Sequence, residues 1–165
     1  MFINGGTTLS IGQDNTSTTF SGTLQDGGTG SGSLAKLGSG TLTLSGTNTY
    51  SGGTLINGGT LSVSADNNLG NSTGGVTFAG GTLQITSSFG TSRPITLDTG
   101  GGSLINSSGS PVGINGNISG SGSLTLEGVF TFGGTNTYTG PTLLNPGGGL
   151  IAARQALFRP QVILR

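Results

Sequence analysis

The stretch GTLTLSGTNTYSGGTLINGGTLSV, residues 40–63, decides the fold of this chain. Leucine alternates with threonine over residues 41–44, and apolar residues alternate with Thr or Ser over residues 60–63. A period of two is the signature of a strand with one buried face. Glycine and asparagine fill the intervals, and both tolerate the positive φ angles of tight corners. The stretch therefore predicts short strands separated by corners.

The composition permits a folded domain despite its low complexity. The chain has 165 residues, of which 36 are Gly and 5 are Pro. A Gly and Pro content of about a quarter lies at the lower edge of the range typical of disorder. Against disorder, 41 residues are Leu, Ile, Val or Phe, which is about 25% and above the ~20% below which a core becomes implausible. We therefore expect one folded domain.

The charge and the missing residue types exclude several functions. Five acidic and five basic side chains cancel, and the chain contains neither Cys nor His. Because the charges cancel, the sequence gives no indication of a nucleic-acid partner. The absence of Cys and His excludes disulfides, most zinc sites and catalysis by an imidazole or a thiol. The opening MFINGGTTLS lacks the regions of a signal peptide, and no apolar run approaches the ~18 residues of a membrane helix. We expect no cofactor, no metal site, no signal peptide in this chain and no membrane insertion.

Two columns of residues recur with nearly the same period. A triplet of Gly, Thr or Ser, and Leu recurs in steps of 19 to 22 residues, at Gly40, Gly59, Gly81, Gly102 and Gly122. Alternating apolar pairs advance by 17 to 19 residues, as Val76 with Phe78, Ile95 with Leu97, Val112 with Ile114, and Phe130 with Phe132. A coil that returns about every 20 residues is a parallel β-solenoid. A period of about 20 residues gives roughly seven turns. Stacking those turns about 4.8 Å apart gives a rod on the order of 35 Å long.

A longer repeat overlies the short one. GTNTYSGGTLINGG at residues 46–59 returns as GTNTYTGPTLLNPGG at residues 134–148. The pentapeptide GSGSL at residues 30–34 likewise returns at residues 120–124. The longer unit is therefore about 90 residues, or four to five turns.

These residues resemble a known repeat family. Residues 30–63, followed by GGVTFAGGTLQIT and SRPITLDTGGGSL, resemble the autotransporter-associated β-strand repeat, also called the passenger-associated transport repeat, of bacterial type V secreted proteins. The resemblance covers roughly residues 33–148, and its most specific part is the block G-T-N-T-Y-[ST]-G. It implies an all-β, right-handed, single-stranded parallel β-helix that forms the stem of a surface-exposed passenger.

The resemblance also implies partners, a location and a set of motif residues. The partners would be neighbouring solenoid turns or a translocator β-barrel encoded elsewhere, and the location would be extracellular or at the bacterial outer-membrane surface. The matching side chains are small, polar or aliphatic, so a structural role carries over to them. The motif residues are Gly46, Thr47, Asn48, Thr49, Tyr50, Gly52, Gly134, Thr135, Asn136, Thr137, Tyr138 and Gly140.

The two ends of the chain differ from its middle. Residues 3–11, INGGTTLSI, repeat residues 56–63, so we expect the chain to open in the middle of a repeat. Residues 1–149 are predicted to form the solenoid. The segment 150–165 contains no Gly, Thr or Ser and holds three of the four Arg residues. It predicts a short helix over residues 150–158 as a cap, stopped by Pro160, or else an artefactual end.

No sequence motif predicts a catalytic or metal site. GGTGSG at residues 27–32 lacks the Asp of a calcium-binding repeat, and Lys36 belongs to no phosphate-binding loop. The carboxylates are scattered, so solvated surface charges are the preferred interpretation, at Asp14, Asp26, Asp66, Asp98 and Glu127. Tyr50 and Tyr138 suggest either a sugar-stacking platform or, preferably, corner side chains with packed rings.

Two further patterns carry little weight. Thr-x-Thr pairs, as in ice-binding solenoids, are intermittent here and occur at Thr41 with Thr43, Thr47 with Thr49, and Thr135 with Thr137. Glycosylation sequons occur at Asn15, Asn71, Asn106 and Asn117, and they mean little if the source is bacterial, as the resemblance implies.

Three functions follow, in order of preference. The leading hypothesis is a non-catalytic structural stem of an exported bacterial surface protein that assists its own translocation. The alternative is an adhesin module that binds host or cell-surface glycans or another cell's solenoid. A carbohydrate-active enzyme, with clustered carboxylates on one face, is the least favoured.

Overall fold

The computed structural model describes residues 1–147, 149–152 and 162–164 of the chain. Short strands dominate it, and one turn of 3-10 helix covers Asp66–Leu69. No described segment forms a helix long and apolar enough to span a membrane. The strands, in chain order, are β1 (Phe2–Asn4), β2 (Thr8–Ile11), β3 (Thr18–Phe20), β4 (Gln25–Gly27), β5 (Ser33–Lys36), β6 (Thr41–Leu44), β7 (Thr54–Ile56), β8 (Thr60–Val63), β9 (Val76–Phe78), β10 (Thr82–Ile85), β11 (Gly90–Thr91), β12 (Ile95–Leu97), β13 (Gly102–Asn106), β14 (Val112–Ile114), β15 (Ile118–Gly120), β16 (Leu124–Glu127), β17 (Val129–Phe132), β18 (Thr142–Leu144), β19 (Gly149–Ala152) and β20 (Val162–Leu164).

The strands stack into a parallel β-solenoid with three faces. The first face is the sheet of β2, β5, β7, β9, β12 and β15, and the second is the sheet of β3, β6, β8, β10, β13, β16, β18 and β20. The third face begins with the pair β1 and β4 and resumes as β11, β14, β17 and β19. The chain visits the faces in the order first, second, third. This confirms the predicted fold class, with six first-face strands in the described part against the roughly seven turns predicted.

The core consists of inward side chains that stack from turn to turn. On the second face Leu42, Leu61, Leu83, Leu104 and Leu126 occupy one register column, and each is at most 4% exposed. Burying one such side chain stabilises the fold by about 1.5–3 kcal/mol. Each leucine is covered by the turns above and below it, so no turn completes its core alone.

The structure confirms that the first predicted column lies on one face and contradicts the second. The triplets at Gly40, Gly59, Gly81, Gly102 and Gly122 all lead into second-face strands, as predicted. The alternating pairs, however, change face partway, because β9 and β12 lie on the first face whereas β14 and β17 lie on the third. The prediction of one column was wrong because both faces demand the same alternation of apolar and polar residues.

The ends also depart from prediction. INGGTTLSI and INGGTLSV lie on different faces, because β2 belongs to the first face and β8 to the second. The helix expected over residues 150–158 is wrong for its first three residues, which belong to β19 and pair with β17. Residues 153–158 lie outside the described residues. The predicted domain boundary after residue 149 falls within β19.

Candidate functional site

The two GTNTY blocks alternate between core and solvent although neither is part of an assigned strand. In the first block Thr47 and Thr49 are exposed, whereas Asn48 and Tyr50 are buried. In the second block Thr135 and Thr137 are exposed, Tyr138 is buried and Asn136 is partly buried. The motif therefore sends its Asn and Tyr inward and its threonines outward.

Each motif tyrosine is held by a threonine four residues later. The hydroxyls of Tyr50 and Thr54 are 2.6 Å apart, and those of Tyr138 and Thr142 are 2.5 Å apart. Tyr50 is 0% exposed, so burial raises its pKa to about 12, and burial also raises the pKa of Tyr138, which is 5% exposed. Neither ring is accessible as a platform on which a sugar could stack.

Each motif asparagine links its turn to the turn below. The Asn48 Oδ1 accepts a hydrogen bond from the backbone N–H of Leu24 at 2.7 Å, and the Asn136 Oδ1 accepts one from Ile118 at 2.9 Å. Asn48 also donates from Nδ2 to the carbonyl of Asn68 in the turn above, at 2.5 Å. In the first copy, where the third face lacks a strand, the buried amide of Asn48 thus replaces ladder hydrogen bonds to both neighbouring turns.

The motif glycines are required by close contact between turns. Gly46, Gly134 and Gly140 each lie against a backbone carbonyl oxygen of the turn below, and a Cβ would collide with it. Gly52 lies against Ser33 Oγ and the carbonyl oxygen of Gly32 in the same way. None of the four has a positive φ. The expectation that corner glycines serve positive φ is therefore wrong for the motif itself.

Arg93 organises the loop between β8 and β9 from the following turn. Its side chain is 1% exposed, and its Nε donates to Asp66 Oδ1 at 2.8 Å. Its two terminal nitrogens also donate at 2.5–3.2 Å to five carbonyl oxygens, those of Asp66, Leu69, Gly70, Asn71 and Gly74. The planar guanidinium thus holds the third-face segment of one turn to the next.

Lys36 occupies an inward position at the end of β5. It lies in register between Ile11 and Ile56, and it is 0% exposed. Its ammonium donates to the carbonyls of Leu37 and Gly38 at 2.7 and 3.1 Å, and burial lowers its pKa. The cation is therefore part of the corner between the first and second faces.

The carboxylates remain dispersed. The described residues contain no group of three acidic, His or Cys side chains that could hold a metal ion. Asp66 pairs with Arg93, and Asp26 accepts hydrogen bonds from Ser51 Oγ at 2.6 Å and from the N–H of Gly32 at 2.7 Å. The bonds from Ser51 and then Gly32 lower the pKa of Asp26, and the hydroxyl and N–H of Thr16 lower that of Asp14.

The sequon asparagines also serve the backbone. Each accepts a hydrogen bond from a backbone N–H at its Oδ1, and the pairs are Asn15 with Ser39, Asn71 with Thr73, Asn106 with Ser108, and Asn117 with Thr135. Asn15 has a φ of 63°, which Asn tolerates better than most residues. These side chains therefore shape corners.

Three structural features were not predicted from the sequence. Thr54 and Thr142 were findable, because both copies continue as GTNTY-[ST]-G-x-T. Lys36 was noted as a residue beside a strand, but its inward orientation depends on its register. Arg93 meets Asp66 across 27 residues, and no local pattern signals that contact.

The fold and the paired motif define a parallel β-solenoid repeat protein. The family described as passenger-associated-transport-repeat matches residues 34–63 and 119–152, the two segments that carry the GTNTY blocks. Two segments of the chain are thus similar to passenger-associated transport repeats, in agreement with the resemblance noted from the sequence.

One relative supports the same assignment over a longer span. The adhesin BmaC autotransporter of Brucella suis biovar 1 (strain 1330) is 39% identical over 92 residues. The matched region is 56% of this chain and 3% of the relative, so this chain corresponds to a small part of that protein. No solved structure matches the chain. The comparisons therefore show that the chain is similar to autotransporter passenger repeats over these segments.

Proposed function

We propose that this chain is a non-catalytic structural stem in the exported passenger of a bacterial autotransporter. The observation that carries the proposal is the core, which runs in register through consecutive turns. A rod of that kind separates whatever lies at its two ends. The passenger repeats and the autotransporter relative support a location at the cell surface or outer membrane.

The same architecture suits assisted translocation. A chain without Cys and with only ten charged side chains at Asp, Glu, Lys and Arg can pass through a narrow pore unfolded. Once two turns have emerged, each further turn buries apolar side chains against the last, which opposes backward movement. The partner in this step would be a translocator β-barrel encoded elsewhere.

The test places this chain inside the passenger of an autotransporter that is known to be exported. Deleting residues 105–126 removes one whole turn and joins Leu104 to Glu127, which preserves the second-face register. A matched deletion of residues 105–115 removes about half a turn and breaks that register. Surface display, measured by protease accessibility on intact cells, should survive the first deletion and fall sharply with the second. Equal loss in both variants would refute the stem proposal.

A second candidate is an adhesin module. The relative is named an adhesin, and the first face carries a shallow depression of about 290 Å³ lined by hydroxyl-bearing residues, among them the exposed Thr8 and the partly exposed Ser33 and Thr77. Hydroxyl groups suit hydrogen bonding to a glycan. Cells displaying the passenger with this chain, or with an unrelated solenoid of equal length, would distinguish the two. Binding lost on the swap supports the adhesin, and binding retained supports the stem.

A further inference from the structure

The two copies of the long repeat lie on different faces of the solenoid. In the first copy the motif follows β6 on the second face and precedes β7 on the first face. In the second copy it follows β17 on the third face and precedes β18 on the second face. Corresponding elements are therefore displaced by one face in the direction of the chain.

Backbone hydrogen bonds of the motifs show the same displacement. The N–H of Thr49 donates at 2.8 Å to the carbonyl of Leu24, which immediately precedes the third-face strand β4. The corresponding N–H, that of Thr137, donates at 2.7 Å to Ile118, which begins the first-face strand β15. The first motif thus covers the third face and the second motif covers the first face.

The lengths of the turns explain the displacement. Leu42 and Leu144 are 102 residues apart and lie five turns apart in one register column, which gives about 20.4 residues per turn. The motifs are 88 residues apart, from Gly46 to Gly134. That separation is about 4.3 turns. Four whole turns bring the chain back to the same face, and the remaining third of a turn moves it on by one of the three faces.

The motif tolerates this displacement because its contacts are not specific to one face. Its asparagine bonds a backbone N–H of the turn below, its tyrosine bonds a threonine, and its glycines fit against carbonyl oxygens, in both copies. All three faces supply a strand backbone below and a core beside it. The same motif contacts therefore form on the third face and on the first face.

We propose that the long repeat advances by one face with each copy, so that equivalent surface residues point to different sides of the rod. The exposed pair Thr47 and Thr49 then faces away from its counterpart, Thr135 and Thr137. A further copy of equal length would occupy the remaining face, and the pattern would return to its starting side after three copies. A partner with one flat surface contacts one copy in three, whereas separate partners reach equivalent surfaces all around the rod.

The test uses pairs of cysteines, because the natural chain has none. With the displacement, Leu143 lies beside Thr125 on the second face. Without it, β18 would repeat the position of β7 on the first face, and Leu143 would lie beside Ser119. Neighbouring strands place Cα atoms about 4.8 Å apart, within the range for a disulfide. The L143C/T125C variant should therefore oxidise to a disulfide in most molecules, and the L143C/S119C variant should remain reduced.

The control is the T77C/T96C variant, whose positions pair on adjacent first-face strands and which should also oxidise. Disulfides are measured as the loss of free thiols after mild oxidation of the purified chain. A disulfide in the L143C/S119C variant would overturn the proposal, whatever the L143C/T125C variant does. The proposal would also fail if the L143C/T125C variant stayed reduced while the control variant oxidised. Export is not involved, so the result is independent of the stem proposal.

Discussion

Removing the guanidinium of Arg93 is expected to open the loop between β8 and β9. The Arg93→Met variant keeps an unbranched apolar stem but removes every donor to Asp66 and to the five loop carbonyls. Each carbonyl then loses its guanidinium donor, although that of Asn71 keeps the N–H of Gly74, and the loop must move toward water to replace the lost bonds. Because no other side chain bridges these two turns so extensively among the described residues, the effect should be concentrated in residues 64–75.

The structure sets the size of the effect. Removing one partner of a buried ion pair costs about 3–5 kcal/mol. Asp66 is 27% exposed and can be solvated once its partner is gone, so the lower end, about 3 kcal/mol, is expected. The Asp66→Asn variant keeps an oxygen acceptor for the guanidinium and should cost only about 1 kcal/mol. The ranking of the two variants is the specific prediction.

Urea unfolding followed by circular dichroism measures the free energy of unfolding of both variants and the natural chain. Hydrogen exchange then locates the loss of protection, which should centre on residues 64–75 in Arg93→Met. The Arg93→Lys variant keeps the charge but cannot span five carbonyls, and it should fall between Met and the natural residue. If Arg93→Met lost less than about 1 kcal/mol, or no more than Asp66→Asn, the guanidinium would not hold the turns together.

Two further predictions concern the motif. Burial raises the pKa of Tyr50 from 10.0 to about 12, so its contribution is present below pH 10 and is lost as the pH rises toward about 12. This difference corresponds to about 3 kcal/mol, and Tyr50→Phe should remove that part of the alkaline loss in urea unfolding curves, whereas an unchanged pH dependence would contradict the burial argument. The Gly46→Ala variant should lose about 1–3 kcal/mol because its Cβ collides with the turn below. Gly90→Ala is the matched control, since its Cβ meets nothing closer than 3.5 Å, and equal melting temperatures for the two variants would refute the steric argument.

Much of the architecture was predictable because its signals are local. Leu42 and Leu44 point inward because the strand pleat has a period of two, and this holds wherever the strand lies. The triplets beginning at Gly40 and Gly59 recur at intervals close to one turn, which reveals stacking. The motif was likewise visible, since seven matching positions return after 88 residues.

The contacts between turns were less predictable. Tyr50 and Thr54 are four residues apart, so their pairing could have been inferred from the second copy. Arg93 and Asp66 come from different turns, and they meet only because the intervening loops bring their segments together on the third face. The inward placement of Lys36 depends on its register with Ile11 and Ile56.

The sequence by itself determined that this chain forms short strands, corners and stacked turns of about 20 residues. Only the tertiary structure decided which face each strand occupies, so Val112 and Phe130 were assigned to a column that contains Val76 and Ile95 when they lie elsewhere. The physical reason is that inward and outward alternation is a property of the local backbone. The face that a strand occupies depends, in contrast, on the summed length of every preceding corner and loop. All three faces require the same alternation of inward apolar and outward polar residues, so the pattern within a strand does not reveal its face.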